Sequence, residues 1–319
     1  MSTAKAITDQ DVQVAITLAS ISYLAENESR ECMTKAMRTA LQPGDLPTAG
    51  KWELRWGPYE HETNLWYVAV GPNARGAQTA AIVIRGTLMT SLKSLEQDAE
   101  VTLVPIPWTN RAPTGAMVAQ GFADAFNRLM DPRTLWPNAL QFVKTLGPGI
   151  GIDVVGHSLG GALAPMMALC VKSAFPGQVV RSFPFGGQTP GNAAFEQWYT
   201  DEFAGQHSRW INRLDVIPMF FGELDRVMNT FGKPGPPCPR YVKSVLDALK
   251  LLVGKSYVPA RNPAEFEGQL YPQAGLFAWE EEASAQHSHF YYMYLAGVAE
   301  SVIRKHFAPC WSPPRGACD

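Results

Sequence analysis

The run Ile152-Asp153-Val154-Val155-Gly156-His157-Ser158-Leu159-Gly160-Gly161 constrains this chain more than any other stretch. A short β-branched segment ends in Gly-His-Ser-Leu-Gly and passes at once into an Ala/Leu/Met-rich stretch over residues 161–171. A strand that becomes a helix within so few residues must turn sharply. The turn holds Ser158 in a strained backbone conformation, and a Cβ at position 156 or 160 would collide with neighbouring backbone. Ser158 is then presented at the carboxyl edge of a sheet. The Leu159 N–H, at the positive end of the new helix, faces the place where negative charge would develop. A serine in this setting reads as a nucleophile.

A nucleophilic serine needs a base, and the base needs an orienting acid. Where a serine sits on such a turn, the order along the chain is serine, acid, histidine. His287, His289 and His306 lie far enough beyond residue 158, whereas His207 comes too early. His306 falls near the end of the last helical stretch and reads as solvated. Gln286-His287-Ser288-His289 stands where a loop enters that helix, and Ser288 reads as its N-cap. This puts His287 in the loop and His289 in the first turn. An imidazole reaching the serine from above the sheet favours His287, with His289 as the alternative base. Of the acids in between, Asp201 lies in a helical segment, Asp247 on the polar face of a helix, and Asp225 has no strand before it. Asp215 follows the strand-like stretch 209–214 and precedes Val216-Ile217-Pro218. It therefore falls at the edge where Ser158 lies, placed to hold the imidazole tautomer and stabilise its charged form. A second oxyanion donor is expected after an earlier strand, where residues 80–84 run into Arg85-Gly86-Thr87.

The wider pattern is one of strands alternating with helices. Helices are expected over 9–25, 28–41, 117–129 and 135–146, and strands over 51–56, 65–70, 80–84, 101–106, 152–155, 179–185 and 209–214. Such alternation predicts an α/β fold with a mostly parallel, doubly wound sheet and flanking helices. Residues 1–319 read as a single domain in which 216–286 is an elaborated, cap- or lid-like insertion. That insertion carries an amphipathic helix over 241–253 with apolar residues at 242, 245, 246, 249, 252 and 253, ended by Gly254. A final helix is expected over 289–306.

Composition narrows the partners. A hydrophobic content of 46% and a formal charge of −2 describe a globular chain with a sizeable core and no basic footprint for nucleic acid. No apolar run approaches the roughly 20 residues of a membrane span. The N-terminus lacks the apolar centre of a secretory signal, which leaves cytoplasmic residence or secretion without, or after loss of, a signal. The five cysteines have no zinc-type spacing, although Cys310 and Cys318 are spaced to permit a bridge. His287, His289 and Glu280–Glu282 supply no evident third metal ligand, so neither metal nor cofactor is expected. The oligomeric state is not legible.

Taken together, these pieces resemble the class 3 lipase family of α/β-hydrolases, the fungal-lipase-like group. Arg85-Gly86-Thr87 resembles its Arg-Gly-Ser/Thr oxyanion motif, and Gly121-Phe122 its Gly-Phe before a long helix. The run from Gly156 to Gly161 matches its elbow, and Phe185-Gly186-Gly187-Gln188-Thr189-Pro190-Gly191-Asn192 resembles the turn after the next strand. Asn212-Arg213-Leu214-Asp215-Val216-Ile217-Pro218 is similar to its Asn-x-x-Asp-x-Val-Pro motif. The matches are ordered and span about residues 80–295. The resemblance implies a triad of Ser158, Asp215 and His287 (or His289), with Thr87 and Leu159 as oxyanion donors. It implies a lipase cleaving acylglycerols through an acyl-enzyme, with a lipid–water interface as the place of action. The alternatives on the same fold are a phospholipase A, an esterase of soluble or feruloyl-type esters, and a lipase-like binding protein without turnover.

Overall fold

A computed structural model describes residues 7–24, 26, 28–61, 64–86, 100–106, 108, 111–131, 138–207, 209–271 and 277–314. Helices α1 (Asp9–Ile21) and α2 (Arg30–Ala40) precede strands β1 (Glu53–His61), β2 (Asn64–Pro72) and β3 (Gln78–Ile84). A small ribbon of β4 (Leu103–Pro105) and β5 (Met117–Ala119) is followed by α3 (Gln120–Met130) and α4 (Ala139–Thr145). The elbow strand β6 (Gly151–His157) then leads into α5 (Leu159–Ala174), β7 (Val180–Phe185), α6 (Ala193–Glu202) and β8 (Trp210–Asn212). A 3₁₀ turn (Ile217–Met219), α7 (Leu224–Val227), α8 (Arg240–Val253), β9 (Ala264–Phe266), α9 (Ala278–His287), α10 (His289–Leu295) and α11 (Glu300–His306) complete the order.

Among the described residues, seven strands form one sheet in the order β1-β2-β3-β6-β7-β8-β9. The first three pair antiparallel, and every pairing from β3 to β9 is parallel. The sheet is buried on both faces, which is why β3 reads as an unbroken apolar run. Its side chains alternate between two cores. Ala80, Ile82 and Ile84 pack with α3, α5 and α8, while Ala81 and Val83 pack with α1, α2 and α10.

Several elements differ from the expectation. The stretch 101–106 pairs with residues 117–119 outside the main sheet, so the helix expected over 117–129 starts as a strand. The final helix is two helices, parted at Gly297, whose φ of +91° favours glycine. The α8 stripe faces the core through Val242, Leu246, Leu249 and Val253. Leu252, expected on that stripe, is 73% exposed beside Leu251 at 88%. The stretch 216–286 is not wholly an insertion over the sheet either, because β9 pairs with β8 inside it.

Helix α1 lies across the sheet under firm constraint. Thr8 and Asp11 form a capping box at its start. Asp11 also meets Arg181 at 3.1 Å, and Arg181 grips Asp153 on the neighbouring strand at 2.8 and 2.7 Å. All three side chains are buried. Arg181→Met should therefore leave two buried carboxylates without their cation and lower stability by about 3–5 kcal/mol, read as the midpoint of urea unfolding.

Candidate active site

The elbow has the geometry its glycines imply. Ser158 adopts φ +60° and ψ −127°, a strained conformation for a residue with a side chain. A Cβ at Gly156 would lie 2.0 Å from the Gly160 carbonyl oxygen, and one at Gly160 would lie 2.1 Å from that of Ile84. The bare backbone lets α5 start directly against β3, with Leu159 as its first residue. The first-turn N–H groups of such a helix have no intrahelical partner and remain available to an anion. Gly156→Ala should displace the elbow and destabilise the fold by about 3 kcal/mol or more. A fall in unfolding midpoint together with lost fluorophosphonate labelling of Ser158 would be the signature.

Gly86 closes against the same turn. A Cβ there would meet the His157 carbonyl oxygen, the Ser158 Cβ and the Tyr23 hydroxyl, each at 2.6 Å. The chain leaving β3 thus runs beside the serine. Thr87 lies outside the described residues, as do Leu88 and the rest of 87–99.

Asp215 follows β8 and is fully buried. Its Oδ2 accepts from His287 Nδ1 at 2.7 Å and from the Tyr292 hydroxyl at 2.8 Å, while Oδ1 accepts the Ile217 N–H at 2.9 Å. A carboxylate can only accept, so Nδ1 of the neutral imidazole carries the proton and Nε2 offers a lone pair. His287 Nε2 is buried and has no hydrogen-bond partner. An imidazole so held can take a proton from a hydroxyl and return it.

His287 is not in a loop. It is the last residue of α9, and Ser288 caps α10 by accepting the Phe290 N–H. The break between the two helices sends the neighbouring histidines to different partners. His289 stacks on Tyr23, with ring centroids 4.5 Å apart and planes 7° apart. Burial and the nearby His287 push its pKa down to about 3. The turn carrying Asp215 is joined to α9 by the Asn212 side chain, which donates to the Gln286 carbonyl at 3.0 Å and to Gln286 Oε1 at 2.6 Å. Gln286 in turn donates to the Gln269 carbonyl and to Glu282.

The remaining candidates lie elsewhere. Asp201, Asp225 and Asp247 are exposed, and Asp225 faces Lys250. His306 meets Asp45 at the surface. Glu282 serves Gln286 and the Tyr271 N–H rather than an ion site. Cys310 is a free thiol, and Cys318 lies outside the described residues. Two residues carry more of the local geometry than their sequence context suggests. Tyr292 ties Asp215 to the Asn212 N–H through one hydroxyl, and its signal was only a tyrosine shortly after the histidines. His157, inside the elbow motif itself, stacks on His287 with centroids 4.8 Å apart.

A mostly parallel sheet, a strained serine at a strand-to-helix elbow and an Asp–His pair beyond a later strand define an α/β-hydrolase. The model of one family with this fold, described as Lipase (class 3), matches residues 81–224. A secreted mono- and diacylglycerol lipase of Malassezia globosa is 26% identical over 190 residues, 59% of this chain and 58% of that protein. A second secreted mono- and diacylglycerol lipase of the same organism is 26% identical over 217 residues, 66% of each chain. The chain thus spans about three-fifths of the length of the first of these curated relatives. Among solved structures, M37 lipase superposes with a TM-score of 0.78 at 25% identity, covering 92% of this chain and 93% of that one.

Proposed function

We propose that this chain is a cofactor-free serine carboxylester hydrolase whose substrates are acylglycerols. The observation that carries the reading is the buried His287, with Nδ1 fixed on Asp215 and Nε2 left without a partner. That arrangement is costly to maintain unless Nε2 has a task. The likeness to secreted mono- and diacylglycerol lipases supports an acylglycerol substrate.

In this reading Ser158 Oγ attacks the ester carbonyl as its proton passes to His287 Nε2. The carbonyl oxygen becomes an oxyanion, held by the Leu159 N–H and by Thr87. As the tetrahedral adduct collapses, the ester C–O bond breaks and the alcohol leaves with the proton from Nε2. Water then attacks the acyl-enzyme and gives its proton to Nε2. Collapse releases the acid and returns that proton to Ser158. Asp215 stays ionised throughout and stabilises the imidazolium. We further take residues 1–319 as one domain in which the stretch 216–286, apart from β9, is an elaborated, cap-like insertion.

The test is a rate panel of p-nitrophenyl butyrate, mono-, di- and triacylglycerols and a phospholipid, with fluorophosphonate labelling mapped by mass spectrometry. Labelling at Ser158 and turnover of the acylglycerols support the reading. Labelling without turnover of any ester would leave a binding protein, and turnover confined to the phospholipid would overturn the substrate class.

A further inference from the structure

Tyr23 lies before every strand and outside the family match, just past the end of α1. Its phenolic oxygen is nevertheless 2.9 Å from His157 Nδ1 and 3.1 Å from the Gly86 nitrogen. On its other side, His157 places Nε2 2.9 Å from the carbonyl oxygen of His287. The donor roles follow from chemistry. A carbonyl only accepts, so His157 Nε2 carries the imidazole proton. Burial, with His287 and His289 beside it, holds His157 well below the ordinary imidazole range and therefore neutral. Nδ1 is then a lone pair, and the Tyr23 hydroxyl must donate to it. The phenolic oxygen is left to accept the Gly86 N–H. One chain of bonds runs from the backbone beside the serine, through Tyr23 and His157, to the backbone of His287.

Tyr23 can bear this because the helix before it is pinned along its length. Asp11 meets Arg181 near its start, Gln13 donates to the Ala296 carbonyl, and the Tyr67 hydroxyl donates to the Leu18 carbonyl. The Tyr23 ring is itself held against His289. Gly86 has no slack, wedged among Tyr23, the His157 carbonyl and Ser158.

We propose that Tyr23 is a positioning residue, which sets Gly86 against the elbow and, through His157, the histidine that moves the proton. The proposal rests on the ester-hydrolase reading. Removing the hydroxyl frees the Gly86 N–H and leaves His157 Nδ1 without its donor. Gly86 then loses its register on Ser158, which matters in the transition state and little in substrate binding.

The experiment compares wild-type protein with Tyr23→Phe, which keeps the ring and loses only the hydroxyl. On p-nitrophenyl butyrate, kcat should fall roughly 10- to 100-fold, less than loss of an oxyanion donor itself, with KM within about twofold. Hydrogen exchange at the Gly86 amide should quicken, and the melting midpoint should move by only a few degrees. Wild-type kcat in a folded Tyr23→Phe, a loss confined to KM, or unchanged exchange at Gly86 would each overturn the proposal. If Tyr23→Phe does not fold, His157→Gln and His157→Leu decide. Glutamine can still accept from Tyr23 and donate to the His287 carbonyl, so it should retain more kcat than leucine, and equal losses would overturn the idea. Were wild-type protein inert to esters and to fluorophosphonate, the hydrolase reading would fail. Gly86 exchange would still report on the Tyr23 link.

Discussion

Ser158→Ala is expected to lower ester hydrolysis by roughly four to six orders of magnitude, with the folded state intact. The size follows from the chemistry. Without Oγ there is no acyl-enzyme, and Asp215 and His287 have no hydroxyl to activate, so the three groups fail as a unit. What remains is the modest catalysis of the oxyanion donors acting on water. Stability should be nearly unchanged or slightly raised, because alanine at φ +60° relieves none of the backbone strain but removes a hydroxyl from a buried site. The measurement is the initial rate on p-nitrophenyl butyrate beside the melting midpoint. A variant hydrolysing at near wild-type rate, free of wild-type carry-over, would remove Ser158 from the mechanism.

His287→Ala is expected to approach the Ser158→Ala loss, while His289→Ala should retain substantial activity. The two residues are one position apart, yet only His287 is hydrogen-bonded to Asp215, and His289 stacks on Tyr23. The pH profile carries a second check. The base must be neutral to accept a proton, so kcat/KM should fall as pH drops through the pKa of the working imidazole in free enzyme. His289, with its pKa pushed down to about 3, and His157, held well below the ordinary range, both stay neutral from pH 5 to 8. Neither can produce an acid limb in that window. A limb there that survives in an active His289→Ala excludes His289 as its source, and a His289→Ala as inactive as Ser158→Ala beside an active His287→Ala would reverse the assignment.

Much of this arrangement is local and therefore legible in a linear chain. The elbow is a ten-residue pattern, and its glycines are required by contacts of 2.0 and 2.1 Å that any side chain would violate. Asp215 could be located because a strand-like stretch ends just before it, which is a matter of adjacent residues. The helix limits were less legible. Residues 278–287 carry too little apolar periodicity to announce a helix, so the histidine at its end read as part of a loop. The Gly297 break was equally hidden, since helix-forming residues flank it on both sides.

The sequence by itself determined which residues are available for chemistry: one serine on a forced turn, one acid at a strand end, and two neighbouring histidines. It also determined the layered α/β plan, because a β-branched strand with apolar residues at every position must be covered on both faces. Only the tertiary structure decided which histidine meets Asp215, across 72 positions of chain, and which stacks on Tyr23. It alone brought Tyr23 to His157 across 134 positions and to Gly86 across 63. Helix and turn preferences act over a few residues, whereas a hydrogen bond in a buried site depends on where separate elements come to rest. That placement is set by the packing of α1, α9 and α10 on the sheet, and no short stretch of sequence contains it.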